Sequence, residues 1–435
     1  MDLCGPDSTS ESRFTAYVER LAVALGHADR AAPFRAYCTG LMLPGERKSV
    51  EPMAARIAPG RVGAAHQSLH HFVAKAAWDD RAVLDAVRDL VLPALLEGGP
   101  LRFWIIDDTG MPKKGRHSVG VARQYCGQIG KQDNCQVAVS LSLATDHASL
   151  PIACRLYLPE TWANDPIRRA KAGIPDAVAF QTKPAIALDQ IRAAVAAGLP
   201  PGVVLMDAGY GTDTDLRAGI GALGLIYVAG IQSSTSLWPP GVTPLPPKPW
   251  SGTGRPPKLL RRGPGHEPVA AKALAQGLAP AAWHTVTWRE GTNAPLTSRF
   301  AAVRVHPAHR DNERAELRPA EWLLVEWPED EDEPTKYWLS TQPDTTSLDD
   351  LVGTAKGRWR IERDYLELKQ EFGLGHYEGR GWRGFHHHAT LCIAAYGFLV
   401  RERAAIPPSA PPRTGRREAP ALPEGYRPRG APAAP

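Results

Sequence analysis

Apolar residues recur at helical spacing through roughly the first hundred positions of the chain. "RFTAYVERLAVALGHADRAAPFRAYCTGLML" carries them three and four apart, and "DDRAVLDAVRDLVLPALL" is a clean amphipathic helix. Asp79 and Asp80 suit an N-cap at its start. Between the two lies "LPGERKSVEPMAARI", a proline-glycine turn with basic residues followed by another short helix. The period changes at Leu101. "LRFWIIDDTG", "CQVAVSLSLAT" and "LPIACRLYLP" read as three strands, "PAIALDQIRAAVAAG" as a helix, "VVLMDAGYG" as a buried strand, "DTDLRAGIGALG" as a helix and "LIYVAGI" as a strand. This order predicts a mixed α/β sheet with helices packed on it.

The stretch from 232 to 343 interrupts that plan. Its first part, "LWPPGVTPLPPKPWSGTGRPPKLLRRGPG", is dense in proline, glycine and basic residues and is expected to be an extended arm. "WHTVTWRE", "RFAAVRVH", "EWLLVEW" and "KYWLSTQ" then read as four short strands, with the acidic "PEDEDEP" in the turn before the last. Helical patterning returns in "GRWRIERDYLELKQEFGLG" and "FHHHATLCIAAYGFLVRERAA". Five segments are therefore expected: helical 1–97, α/β 98–231, β-rich 232–343, helical 344–405, and a proline-rich basic tail, 406–435, that is disordered.

The helix opening at Gly357 has an odd polar pattern. At about 100° per residue, Arg360, Arg363, Asp364, Glu367, Gln370 and Glu371 form one polar side. Ile361, Tyr365, Leu368 and Phe372 form one apolar stripe, and Trp359 and Leu366 a second. Arg358, Glu362 and Lys369 fall between the stripes, on what should be the buried face. A buried unpaired charge is costly. Either Arg358 and Glu362 pair at i, i+4 as a structural unit, or this face looks onto a site that needs one carboxylate and two cations.

Carboxylates from elsewhere bear on that choice. The strands "FWIID" and "VVLMD" close on Asp107 and Asp207, at the sheet edge where ligand sites are commonly built. Singly, each suits a turn or helix cap. With a helical carboxylate, the set suits Mg²⁺ or Mn²⁺, which take oxygen ligands and keep positions open for phosphate oxygens. Two such ions support phosphodiester displacement.

These residues resemble the DDE transposases of bacterial insertion sequences, whose core is RNase H-like. One large group has the signature Tyr-(2)-Arg-(3)-Glu-(6)-Lys, which Arg358, Glu362 and Lys369 match in spacing, while Ala355 stands at the tyrosine position. "DDTGMPKKGRHSVGVARQYCGQIGKQDNCQVAV", "LYLPETW" and "MDAGYG" resemble the insertion-sequence-701 branch. The resemblance spans about 30 to 400 and implies an α/β, RNase H-like core interrupted by a β-rich insertion, with a helical N-terminal domain. It implies Asp107, Asp207 and Glu362 as catalytic and metal-holding residues, with two Mg²⁺ or Mn²⁺ ions. Asp108 is the alternative to Asp107, which directly ends the apolar strand and has Thr109 two residues on. Double-stranded DNA is the implied substrate, bound as a homodimer.

Composition adds bounds. A net charge of +5 on 435 residues is compatible with a nucleic-acid partner. No apolar run is long enough to span a membrane and "MDLCGPDSTSESRF" is no signal peptide, so a cytoplasmic location is expected. Cys4, Cys38, Cys126, Cys135, Cys154 and Cys392 show no CxxC spacing and are expected to be buried free thiols. The N-terminal helices suit either DNA binding or a packing bundle. Arg358 and Lys369 would face phosphate. Lys113, Lys114, Arg116 and Arg123 either contact DNA or form a solvated basic hairpin loop. The run His386–His388 is expected to be solvated or to touch DNA, because consecutive helical residues diverge. Trp283, Trp288, Trp322 and Trp327 are expected mainly to pack.

Overall fold

The computed structural model describes residues 9–289 and 295–405. Cys4 and the proline-rich tail from Ile406 lie outside the described residues. The chain begins with helices α1 (Ser10–Ala22), α2 (Ala31–Met42), α3 (Val50–Ile57), α4 (Val62–Ala74) and α5 (Asp80–Glu97). Asp79 caps α5, as its position suggests, accepting from Arg81 N–H. Strands β1 (Phe103–Pro112), β2 (Ala122–Cys126), β3 (Lys131–Ala144) and β4 (Ser149–Leu156) follow. Then come α6 (Glu160–Ala163), α7 (Pro166–Ala172), α8 (Lys183–Ala196), β5 (Val203–Met206), α9 (Ala208–Gly211), α10 (Thr214–Ala222) and β6 (Tyr227–Ile231).

Strands β1, β3 and β4 are antiparallel in succession, while β1, β5 and β6 run parallel. The resulting order β4-β3-β1-β5-β6 is a mixed sheet with helices on both faces, the arrangement expected for an RNase H-like core. Period-two alternation sorts the side chains of β1. Trp104 and Ile106 join α8 and α10 in one core, and Phe103 and Ile105 lie in the opposite one.

The insertion contributes β7 (Ser236–Trp238), β8 (Val269–Ala270), α11 (Ala271–Gln276), β9 (His284–Arg289), β10 (Leu296–Pro307), β11 (Glu321–Trp327) and β12 (Lys336–Ser340). It does not stand apart from the core: β12 pairs antiparallel with β6, so the strands form one 12-stranded sheet. Its tryptophans pack. Trp288 meets Phe300 edge-on at 5.6 Å, Trp283 meets Trp327 at 5.3 Å, and Arg304 lies over Trp322.

The C-terminal part holds α12 (Leu348–Lys356), α13 (Trp359–Gln370) and α14 (Trp382–Ala405). Sequence periodicity misses α12, which Ser347 caps through Asp350 N–H. Gly357 separates α12 from α13 and lies against β1, where an added Cβ would sit 2.9 Å from Phe103 Cζ.

Helix α14 is apolar on nearly every side, so it must be covered all round. β4 covers one flank, and α1, α2, α4 and α5 cover the others in a shared core. The N-terminal helices are thus a packing layer on α14. Their coverage also overturns the expectation of solvated histidines at 386–388. His386, His387 and His388 are all buried, and burial pushes the last two down to about 4. His387 stacks on Trp78 at 3.6 Å and reaches the Val73 and Trp78 carbonyls, while His388 bonds the Tyr37 hydroxyl at 2.9 Å. Three rings can point three ways and still be buried when the helix is covered on every side. Cys38, Cys126, Cys135 and Cys392 are buried free thiols as expected, and Cys154 is a half-buried one.

Two glycines fix the turn after β5. A Cβ on Gly211 would sit 2.0 Å from the Gly230 carbonyl oxygen, and one on Gly230 would sit 2.8 Å from Ala208 N. These contacts are with backbone and cannot be relieved by a rotamer change. Gly211→Ala is therefore expected to destabilise the fold by about 1–3 kcal/mol, measured by urea unfolding. Unchanged stability would mean that α9 is not pressed against β6.

Candidate active site

Parallel pairing between β1 and β5 runs from Phe103↔Val203 to Ile105↔Leu205. Beyond it β5 turns into α9, whereas β1 continues to Pro112 beside β3. Asp107 therefore does not end its strand. It lies where the strand loses its parallel neighbour, and extending the register by two residues sets it level with Asp207. Asp207 caps α9, its Oδ1 accepting from Gly209 N–H at 2.9 Å and Tyr210 N–H at 3.2 Å.

Alternation along β1 sends its two acids to opposite walls. Asp107 takes the Phe103–Ile105 side, toward α13, where Arg358 Nη1 donates to its Oδ2 at 2.6 Å. Asp108 takes the side of α8, where its Oδ2 accepts from Lys183 Nζ at 2.7 Å and Tyr210 Oη at 3.1 Å. Arg358 also donates through Nη2 to Glu362 Oε1 at 3.1 Å. The i, i+4 pair weighed from the sequence thus exists, but the same guanidinium reaches across to β1. One cation joins the strand carboxylate to the helix carboxylate.

The face of α13 that carries these charges is open, not buried. Glu362 has 65% of its side chain exposed, and Leu366 is half exposed. They line a cleft of about 790 Å³ with Asp107, Asp108, Asp207, Lys183, Tyr210, Arg358 and Lys369. A second cleft of about 400 Å³ adjoins it, shares Asp207, Arg358 and Glu362, and is walled by Lys336 and Trp338 of the insertion. Charge sits between two apolar stripes because the Trp359–Leu366 stripe borders this opening instead of packing on the sheet.

Helical projection also misplaces Asp364, assigned to the solvated side. It is buried against β4 and α14, accepts from Ser149 Oγ and Tyr396 Oη, and burial raises it to about 6.

The remaining cations divide. Lys369 lines the cleft but donates to the Gly110 carbonyl at 3.0 Å. Lys113 is turned inward, donating to the Tyr377 carbonyl at 2.8 Å, and burial lowers it to about 8. Lys114 and Arg116 are exposed in the turn after β1, and Arg123 is exposed on β2, a strand that the sequence reading left as loop. None of these four lines the cleft.

Lys183 and Tyr210 escaped the sequence reading. A signal for Lys183 was available, since a cation in the first turn of a helix opposes the helix dipole and needs a local reason. So was one for the anchor of α12. Glu326, buried near the end of β11, accepts from Lys356 Nζ at 2.7 Å, and that ammonium lies 4.1 Å from the Trp288 ring centre. The pair ties the residues just before Arg358 to the insertion.

An all-oxygen donor set on two rigid strand positions and a facing helix suits a hard divalent cation. Among the described residues, no three such side chains yet converge tightly enough to hold an ion. In this arrangement Arg358 supplies the positive charge the carboxylates need. Ala355 is buried on α12 and offers no hydroxyl to the cleft.

Comparison with known proteins gives the family of the chain. A sequence-family model described as DDE superfamily endonuclease matches residues 20–295, more than half of the chain. That stretch includes Asp107 and Asp207, while Glu362 lies beyond it. The chain is also similar to a protein of Microchaete diplosiphon named as a probable transposase for insertion sequence element IS701, with 32% identity over 169 residues. The match covers 39% of this chain and 41% of the relative.

Burial, together with the nearby Asp207, pushes the Asp107 carboxyl up to about 7 despite the pull of Arg358. The native state then keeps a proton that an unfolded Asp releases near pH 4, so this group lowers stability as pH rises between about 4 and 7. Relative to Asp107→Asn, the native protein is expected to lose up to about 1.4 kcal/mol per pH unit over that window. Urea unfolding of both proteins across the range measures it. Parallel pH profiles would place the Asp107 pKa near its unfolded value.

Proposed function

The chain belongs to the DDE superfamily endonucleases, and from that premise we propose that it is a DNA transposase, cutting DNA at the ends of an insertion sequence and joining the freed ends to a target. The observation that carries the proposal is that Asp107, Asp207 and Glu362, from positions far apart in the chain, line one open cleft, with a single guanidinium bonding Asp107 and Glu362. A structural ion pair needs neither the third acid nor the cleft.

On this reading Asp107, Asp207 and Glu362 hold two Mg²⁺ or Mn²⁺ ions. When bound, the ions would make an attacking oxygen more nucleophilic and stabilise the departing one. Asp107 is preferred to Asp108 because it shares a wall with Glu362, whereas Asp108 is engaged by Lys183 and Tyr210. In the cleavage step the oxygen of a water bonds to phosphorus and gives up a proton, the bond from phosphorus to the 3′ oxygen breaks, and that oxygen takes up a proton to become a free hydroxyl. In joining, the new 3′ hydroxyl loses its proton as it bonds to a target phosphorus, and the target's own P–O3′ bond breaks.

The protein's part is placement. Arg358 and Lys369, on the α13 wall, would face the phosphates, with the exposed Lys114, Arg116 and Arg123 adding nonspecific contacts farther out. Lys113 contributes by fastening β1 to the segment after α13. Bringing two element ends together calls for two copies of the chain on double-stranded DNA. Among the described residues no helix is long and apolar enough to cross a membrane, and a cytoplasmic location fits work on chromosomal DNA.

Incubating the full-length chain with Mg²⁺ and DNA that carries the element's own ends tests the proposal. Wild type is expected to cleave and join. Glu362→Gln is expected to lose both activities by at least about 100-fold. Cleavage without joining would leave a nuclease on the same core. Wild-type activity in the Gln variant would reduce Glu362 to a partner of Arg358 and overturn the assigned triad.

A further inference from the structure

We propose that Lys183 forms a second phosphate subsite, on the wall of the cleft opposite α13, and that Asp108 and Tyr210 hold it in place. The ligand is a nucleic-acid phosphodiester next to the one being cut, so the inference rests on reading the cleft as a nucleic-acid site.

Lys183 opens α8, a 14-residue helix whose N-terminal end carries partial positive charge. A cation is disfavoured there, and the helix does not need it: Thr182 is the N-cap, its Oγ1 accepting from Ala185 N–H at 3.3 Å. What holds the ammonium is Asp108, whose Oδ2 lies 2.7 Å away. The same oxygen accepts from the hydroxyl of Tyr210, a residue only 3% exposed. Tyr210 in turn belongs to the short helix α9 that Asp207 caps. Asp108 is thereby fixed from two directions, and Lys183 is fixed by Asp108.

The ammonium is not consumed by this pairing. It has three protons, and its hydrogen bond to Asp108 uses one. Its side chain is 37% exposed and lines the 790 Å³ cleft. Across the opening stand Arg358 and Lys369 of α13. Four carboxylates, Asp107, Asp108, Asp207 and Glu362, would repel a polyanion from this space. A strand can lie there only where cations face it, and Lys183 is the cation of the α8 wall. Asp108 orients that cation, and its own negative charge is offset by the pairing. The two neighbouring acids of β1 thus have different work: Asp107 belongs to the catalytic set, and Asp108 is a positioning residue.

The test is fluorescence-anisotropy binding of the full-length chain to a labelled duplex carrying the element's end, across a salt series, alongside cleavage kinetics on that duplex. Lys183→Ala is expected to weaken binding about 3–10-fold and to flatten the log–log salt slope by about one. Lys183→Arg should keep the wild-type slope. Asp108→Asn should raise KM while leaving kcat within about threefold, whereas Asp107→Asn should abolish turnover. If Lys183→Ala does not fold, Lys183→Gln, which retains the aliphatic stem, takes its place. An unchanged slope in the Ala variant overturns the subsite, as does an Arg variant that loses it. Wild-type protein that neither binds nor cuts the duplex removes the nuclease reading along with the subsite. Wild type that cuts, with Lys183→Ala indistinguishable from it, removes the subsite alone.

Discussion

Neighbouring carboxylates repel one another, and in this chain the Arg358 guanidinium stands between two of them. It bonds Asp107 of the sheet and Glu362 of the helix together. Several other features of the fold serve its position. Gly357 lets the junction of α12 and α13 close onto Phe103. Lys356, one residue earlier, is gripped by Glu326 and by the rings of Trp288, Phe300 and Trp338. Lys369 fastens the far end of α13 to the Gly110 carbonyl on β1. The helix that carries the third acid is therefore pinned to the sheet at both ends.

The single sheet makes that pinning stiff. Because β12 continues the ladder from β6, the insertion forms one wall of the adjoining cleft rather than a lobe on a hinge. Access to the carboxylates is set by side chains and by the gap that opens where β5 leaves β1. The close contact of Gly211 with Gly230 fixes that gap, since it decides where Asp207 stands.

Most of the elements were legible in the sequence because periodicity is local. The three acids that line the cleft could be picked out too, two as acids closing apolar runs and one as a misplaced helical charge. What the sequence hid depends on which surfaces meet. Asp364 projects to the polar side of its helix, yet α14 and β4 cover that side. The histidines at 386–388 are polar letters on a helix enclosed all round. Asp107 and Asp108 are adjacent letters, and the alternation of β1, with the facing helices known, assigns them to different walls. Lys113 sits in a basic run but points inward to backbone carbonyls. Lys183 lay just outside a helix that was otherwise correctly marked.

The enclosure of α14 bears on how the chain is made. Helices α1, α2, α4 and α5 are synthesised before α14 and bury much of their apolar surface on it. At about 5–20 residues per second, tens of seconds separate the two. Through that interval the nascent N-terminal layer lacks its main partner. A chain that stops before Trp382 would still carry Asp107, Asp207 and Glu362 and yet leave uncovered the apolar surface that α14 packs on, making it a substrate for chaperones and proteases. Synthesis of α14 is thus a checkpoint built into the order of the helices.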